Sequence, residues 1–248
     1  VTAAFIPRFN AVRKGKGIKE ARRFTANVSN ILAVISIVII YLVIVFAVPI
    51  ASFLAQGWEG EMIQETALYI RIVVLSILPI AFNSAFSGYL NVHDDFFSPS
   101  ITVAVNNVVL IVFCFFAAMT GNWLLLPIGY TVAYFAQYIH YIPALKKTGY
   151  RHVPDFQWNN QLKFFFLLAA PILISVAATD LAQVIDKMIA TALFETGGVS
   201  SIDYASKLIT MVSGIIIASG VTAVYPKLSK LVQEKKEDDY HKEVAGSI

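Results

Sequence analysis

The chain is short of charge, sulfur and the punctuation of catalytic sites. Of its 248 residues only 14% are Asp, Glu, Lys or Arg, against about 25% in a soluble domain. That argues against a water-soluble globule. A single cysteine, Cys114, excludes an intrachain disulfide. The sequence has no phosphate-cradling glycine loop, no His pair at i,i+4 and no nucleophile elbow. Its four histidines, His93, His140, His152 and His241, are scattered. The reading is therefore a protein that is not an enzyme, holds no metal or cofactor and binds no ATP. The chain begins Val1-Thr2 with no initiator Met and no signal-peptide pattern, and is expected to be an internal piece of a longer protein.

What is present is apolar residue in long blocks. The composition is 57% hydrophobic and the mean hydropathy is +0.68. Residues 31–55 and 96–145 carry no Asp, Glu, Lys or Arg. About 20 such residues cross a hydrocarbon core as a helix, so the fold class is all-α, a polytopic membrane bundle. Six spans are expected, near 26–55, 66–92, two within 96–145, then 162–194 and 199–227. The third and fourth separate at Thr120-Gly121-Asn122, a turn signal. Pro79 and Pro171 should kink their helices. Ser84 and Gly88 stand at the small-xxx-small spacing of close helix packing.

Basic residues set the orientation. Arg8, Arg13, Lys14, Lys16, Lys19, Arg22 and Arg23 crowd the first connection, against a lone Glu20. Lys146, Lys147, Arg151 and Lys163 mark another, and Lys227, Lys230, Lys235, Lys236 and Lys242 the tail. Alternate connections hold Glu59, Glu61, Glu65 and Glu195 instead. The basic side should be cytoplasmic. The patch reads as a topology signal rather than a nucleic-acid site, although cations there also attract phosphate-bearing lipid head groups. The expected organisation is the end of a preceding helix at 1–7, a basic loop at 8–25, four spans over 26–145, a loop at 146–161, two further spans over 162–230 and a charged segment at 231–248.

Five charges fall inside the last two spans: Asp180, Asp186, Lys187, Asp203 and Lys207. Each is expensive at membrane depth, about 2.5–3.5 kcal/mol on insertion scales, so such groups face a bundle interior or a wet cavity. Asp180, Gln183 and Lys187 share one helical face, and Asp203 and Lys207 are paired at i,i+4 with the acid first. Asp186 lies off that face beside Lys187. One reading makes them ion pairs that brace neighbouring helices. The other makes them the lining of a polar path for a charged substrate. Asp203, near a helix start, also suits the N-terminal dipole. The cluster Asn91, His93, Asp94 and Asp95 reads as a polar turn.

Several motifs resemble the MurJ (MviN) family of lipid II flippases, in the multidrug/oligosaccharidyl-lipid/polysaccharide exporter superfamily. They are Phe5-Ile6-Pro7-Arg8-Phe9 with Ala21-Arg22-Arg23-Phe24, Gly88-Tyr89-Leu90-Asn91 with Phe97-Ser98-Pro99-Ser100, and Leu145-Lys146-Lys147-Thr148-Gly149. The densest stretch is Tyr204-Ala205-Ser206-Lys207-Leu208, Ser213-Gly214 and Tyr225-Pro226-Lys227-Leu228-Ser229. The resemblance covers essentially the whole chain. It implies a piece of a two-lobed bundle of about fourteen helices around a central cavity with alternating access. It also implies an undecaprenyl-diphosphate-linked substrate, a bacterial inner-membrane location and possible drive from an ion gradient or membrane potential. The family's cation in its eighth helix holds the diphosphate, and Lys207 occupies that position, where many members carry Arg; Lys keeps the charge but not the bidentate fork. Asp203 would orient it, with Lys187, Asp180 and Asp186 as further lining. The rival readings are a flippase for another lipid-linked oligosaccharide and a membrane scaffold that transports nothing.

Overall fold

The computed structural model describes residues 2–55, 58, 60–194 and 197–214. Among them every regular element is helical: α1 (Thr2–Val45), α2 (Ala47–Leu54), α3 (Glu61–Val73), a 3₁₀ turn (Val74–Ser76), α4 (Ile77–Asn91), α5 (Phe97–Thr120), α6 (Leu125–Lys147) and α7 (Asn160–Leu193), followed by a helix over 198–214. The chain divides into two compact units, Val1–Met188 and Ile189–Ile248. Among the described residues four helical stretches are long and apolar enough to cross a membrane: Ala4–Val45, Glu61–Asn91, Phe97–Thr120 and Asn160–Leu193. Two of the six expected spans are not among these four. One corresponds to α6, with 23 residues, whose Tyr130, Tyr134, Gln137, Tyr138, His140 and Tyr141 dilute its apolar character. The other was expected over 199–227, and residues 215–227 lie outside the described part, as do Tyr225-Pro226-Lys227 and the basic tail.

The connection expected to be a loop at 8–25 is helical on both sides of a single break. Gly17 sits at φ 85°, ψ 175°, and only glycine adopts that conformation without strain. Arg and Lys are good helix formers, so the basic residues propagate the helices up to this break. The chain folds back there. Phe5 and Phe24 stack with centroids 5.7 Å apart, although 19 intervening steps of straight helix would separate them by about 28 Å.

Proline breaks appear where backbone donors are lost. Pro49 cannot donate to the carbonyl of Val45, and α1 gives way to α2 at Phe46 (φ −95°, ψ 17°). Pro79 likewise has no donor for Leu75, and the 3₁₀ turn lies just before it. Thr131 of α6 donates to the Ile72 carbonyl beside that turn at 2.9 Å, the kind of side-chain repair that makes broken helices tolerable in a membrane. Helix α7 continues through Pro171.

Helix packing in the first unit follows its small residues. A Cβ on Gly88 would stand 2.8 Å from Cδ1 of Phe5, and one on Gly129 would stand 2.4 Å from Cβ of Phe113. The first contact joins α4 to α1, the second α6 to α5. Gly121, at φ 66°, reverses the chain between α5 and α6, at the turn expected from sequence. Where the helices meet, an aromatic core forms from Phe5, Phe9, Phe24, Phe86, Tyr89 and Phe165. Outward faces stay apolar, as in Ile37, Ile111, Phe115 and Ile174, and Cys114 is among these exposed residues. Lipid tails are as apolar as these side chains, so close packing rather than transfer from water holds such helices together.

Candidate functional site

The described residues gather polar side chains at one end of the first unit, where the turn at Gly17 meets the segment between α6 and α7. That segment starts from a helix stop. The amide of Tyr150 donates to the Leu145 carbonyl at 3.1 Å and that of Gly149 to Lys146 at 3.0 Å. This is the Schellman arrangement, with glycine in the left-handed position; Gly149 has φ 71°. Nη2 of Arg22 donates to the freed Thr148 carbonyl at 2.6 Å. A Cβ on Gly149 would stand 3.1 Å from that same nitrogen, so glycine serves both the backbone turn and the guanidinium.

Beyond Gly149 the segment 150–159 is strapped along α1. Arg23 donates through Nε to Asp155 Oδ2 at 2.6 Å; Asp155 is only 7% exposed. Asn30 donates through Nδ2 to the carbonyls of Val153 at 2.8 Å and Asp155 at 3.0 Å. Asn27 donates to the Gln157 carbonyl at 2.8 Å. The segment forms no regular ladder, so its carbonyls need side-chain donors, and α1 supplies them.

A relay of three side chains completes the strap. His152 Nε2 lies 2.7 Å from Asn30 Oδ1, and its Nδ1 lies 2.9 Å from the Tyr150 hydroxyl. An amide oxygen only accepts, so Nε2 carries the proton and Nδ1 accepts from Tyr150 in the neutral ring. Burial pushes the His152 pKa below its usual value. Burial also pushes the Tyr150 hydroxyl well above the ordinary phenol range, with Tyr89 and Tyr138 adding to the effect. Both groups are held neutral.

Around this strap lie two clefts. One, of about 860 Å³, is lined by Lys19, Glu20, Arg22, Arg23, Arg151 and Asp155, among others. The second, of about 370 Å³, presents Lys16, Asn27, Gln157, Asn159, Asn160 and Gln161. Arg8 holds the start of α7, bonded to Gln161 and placed 4.8 Å above the Phe164 ring.

Sequence reasoning took these cations chiefly as a topology signal, with some attraction for phosphate-bearing lipid heads, and assigned the histidines to no site. What could have pointed further is Asp155, a lone acid in a basic segment, together with Asn27 and Asn30 on an otherwise apolar helix. The turn at 93–95 is structural. Asp95 accepts from the amide and hydroxyl of Ser98 at 2.9 and 2.7 Å, satisfying a free amide in the first turn of α5. Burial raises its pKa, but these donors and Lys147 outweigh burial and hold the carboxyl below its usual value.

The five charges expected at membrane depth lie on α7 and on the helix over 198–214. On α7, Asp180 and Asp186 are exposed and Lys187 is half-buried. In the second unit Asp203 is half-buried and Lys207 exposed; the Lys207 ammonium sits 5.8 Å from the Tyr204 ring centroid, within cation–π range. Among the described residues no three His, Cys, Asp or Glu cluster as a metal site would require.

The family model described as lipid II flippase MurJ matches residues 1–248. A protein of Buchnera aphidicola subsp. Acyrthosiphon pisum named "Probable lipid II flippase MurJ" is 27% identical over 248 residues, covering 96% of this chain and 48% of that relative. One of the same name from Thermotoga maritima is 27% identical over 236 residues, covering 95% and 46%. The chain thus spans about half the length of these relatives. A solved structure titled "Lipid II flippase MurJ, inward closed conformation" superposes with a TM-score of 0.77 at 23% identity, covering 97% of this chain and 49% of that one. At that identity the likeness speaks for the fold.

Proposed function

Since the chain belongs to the lipid II flippase MurJ family, we propose that it supplies about half of a flippase for an undecaprenyl-diphosphate-linked peptidoglycan precursor. The observation that carries this reading is the match of the family model along the whole chain. In this reading the head group crosses the bacterial inner membrane by alternating access through a cationic cavity, while the hydrocarbon tails stay in lipid. Residues 26–145 complete the first lobe and 162–230 begin the second. The basic end faces the cytoplasm, in keeping with the rule for Lys and Arg in short connections.

Lys207 makes the phosphate contact and Asp203, one helical turn earlier, orients it. Asp180, Asp186 and Lys187 add polar lining to the transport path, and an ion gradient or the membrane potential drives it. Support for these roles is energetic: ionisable groups persist in apolar helices where a wet cavity or a partner receives them. Lysine is a point charge without the guanidinium fork, so it demands less of the phosphate's orientation than arginine does.

Complementation with the full-length protein tests the reading. Lys207→Ala, at normal membrane abundance, should fail to support growth of a flippase-depleted strain, and Lys207→Arg should restore it. Growth on the alanine variant would remove Lys207 from the mechanism.

A further inference from the structure

We propose that the 860 Å³ cleft between α1 and the 148–159 strap is a binding site for a phosphate group. The proposal does not rest on the flippase reading. The lining carries four cations, Lys19, Arg22, Arg23 and Arg151, against two acids, Glu20 and Asp155. One acid is already taken, because Arg23 holds Asp155 at 2.6 Å. Lys19, Arg22 and Arg151 therefore face the cleft with Glu20 as the remaining counter-charge.

Arg22 is pre-positioned. Its Nη2 is fixed on the Thr148 carbonyl, which holds the guanidinium at the wall of the cleft. A guanidinium held in place suits a phosphate's oxygens. Lys19 and Arg151 are exposed and add charge without holding the fold together.

Membrane placement favours a lipid as the source of the phosphate. Phe156, on the cleft wall, and Trp158, two residues on, are 54% and 65% exposed. Aromatic side chains bare to the outside collect at head-group level in membrane proteins, and basic pockets there bind anionic lipid heads. A soluble phosphate or diphosphate presents the same oxygens, so the test must separate the two.

The experiment uses the full-length protein in nanodiscs. One arm titrates inorganic pyrophosphate into discs of neutral phosphatidylcholine. The other exchanges phosphatidylglycerol into the discs and counts retained lipids by native mass spectrometry. Two double variants remove the same charge: Lys19→Gln with Arg151→Gln in the cleft, and Arg13→Gln with Lys14→Gln outside it. Saturable binding in either arm, weakened at least about tenfold by the cleft pair and less than about twofold by the outside pair, is the expected result. Binding confined to phosphatidylglycerol names a lipid; binding of pyrophosphate names a soluble ligand. Equal losses for the two pairs, or no saturable binding in either arm, would overturn the site.

Discussion

The ring of Phe5 lies against the bare α-carbon of Gly88, 2.8 Å from where a Cβ would stand. Phe5 is fully buried and wedged between Phe9 and Phe24, so the ring has nowhere to retreat. Gly88→Ala should lower stability by about 1–3 kcal/mol, the usual range for overpacking. Thermal unfolding in detergent measures it, and Phe5→Leu in the same chain should recover part of the loss. An additive double variant would show that the two residues do not press on each other.

Gly129→Ala should be the more severe change. The missing Cβ there would stand 2.4 Å from Cβ and 2.6 Å from Cγ of Phe113. Those atoms are rooted in the backbone of α5, so relief requires the helices to separate rather than a ring to turn. A melting temperature lower than that of Gly88→Ala is expected, and the reverse order would contradict this packing.

Asp94 ends α4 in the left-handed region, at φ 61°, with the Asp95 amide reaching back to Leu90 at 3.1 Å. Glycine is free of strain at such a position and a β-branched residue is not. Asp94→Gly should hold or raise stability by up to about 1 kcal/mol, whereas Asp94→Val should lower it. Equal melting temperatures for the two variants would count against the backbone account.

Removing either half of the Arg23–Asp155 pair should have unequal consequences. Asp155 is buried at the strap while Arg23 is half exposed. Arg23→Ala strands a carboxylate out of water; Asp155→Asn leaves a guanidinium that solvent can reach. Limited trypsin digestion should therefore cut after Arg151 faster in Arg23→Ala than in Asp155→Asn. Identical cleavage rates would mean that the pair does not hold the segment.

Acid should loosen the strap. The folded pKa of His152 lies below its ordinary value because burial disfavours the cation, so the unfolded segment binds more protons. The stabilisation is complete above the unfolded value of about 6.5 and is lost as pH falls through the lower folded value. Once the intrinsic chemical rate is divided out, hydrogen exchange at residues 148–159 should show an excess that grows as pH falls below about 6.5. In His152→Gln that excess should vanish; if it persists, another group is responsible.

Much of this architecture was legible along the chain because its signals are local. Apolar runs announce membrane helices, Pro79 announces a break and Gly121 a reversal, each through the backbone of its own few residues; Pro171, expected to kink its helix, lies inside a continuous α7, and the break before Pro49 was not expected. The Ser84–Gly88 spacing announced close packing, although not against which helix. The basic run at 8–25 reads as a connection by its charge, yet Arg and Lys are good helix formers, and the backbone leaves the helix at Gly17.

By itself, then, the amino-acid sequence determined the solvent this protein lives in, the positions of its helices and the rarity of its intramembrane charges, since all three depend on composition and short-range periodicity. Tertiary structure alone decided that Arg22, Arg23, Asn27 and Asn30 would meet a strap more than 120 positions away. It also decided that one arginine there would be neutralised and another would keep a buried donor with no partner among the described residues. Such pairings follow from how helices stack and where loose carbonyls need donors, and no pattern of neighbouring residues encodes them.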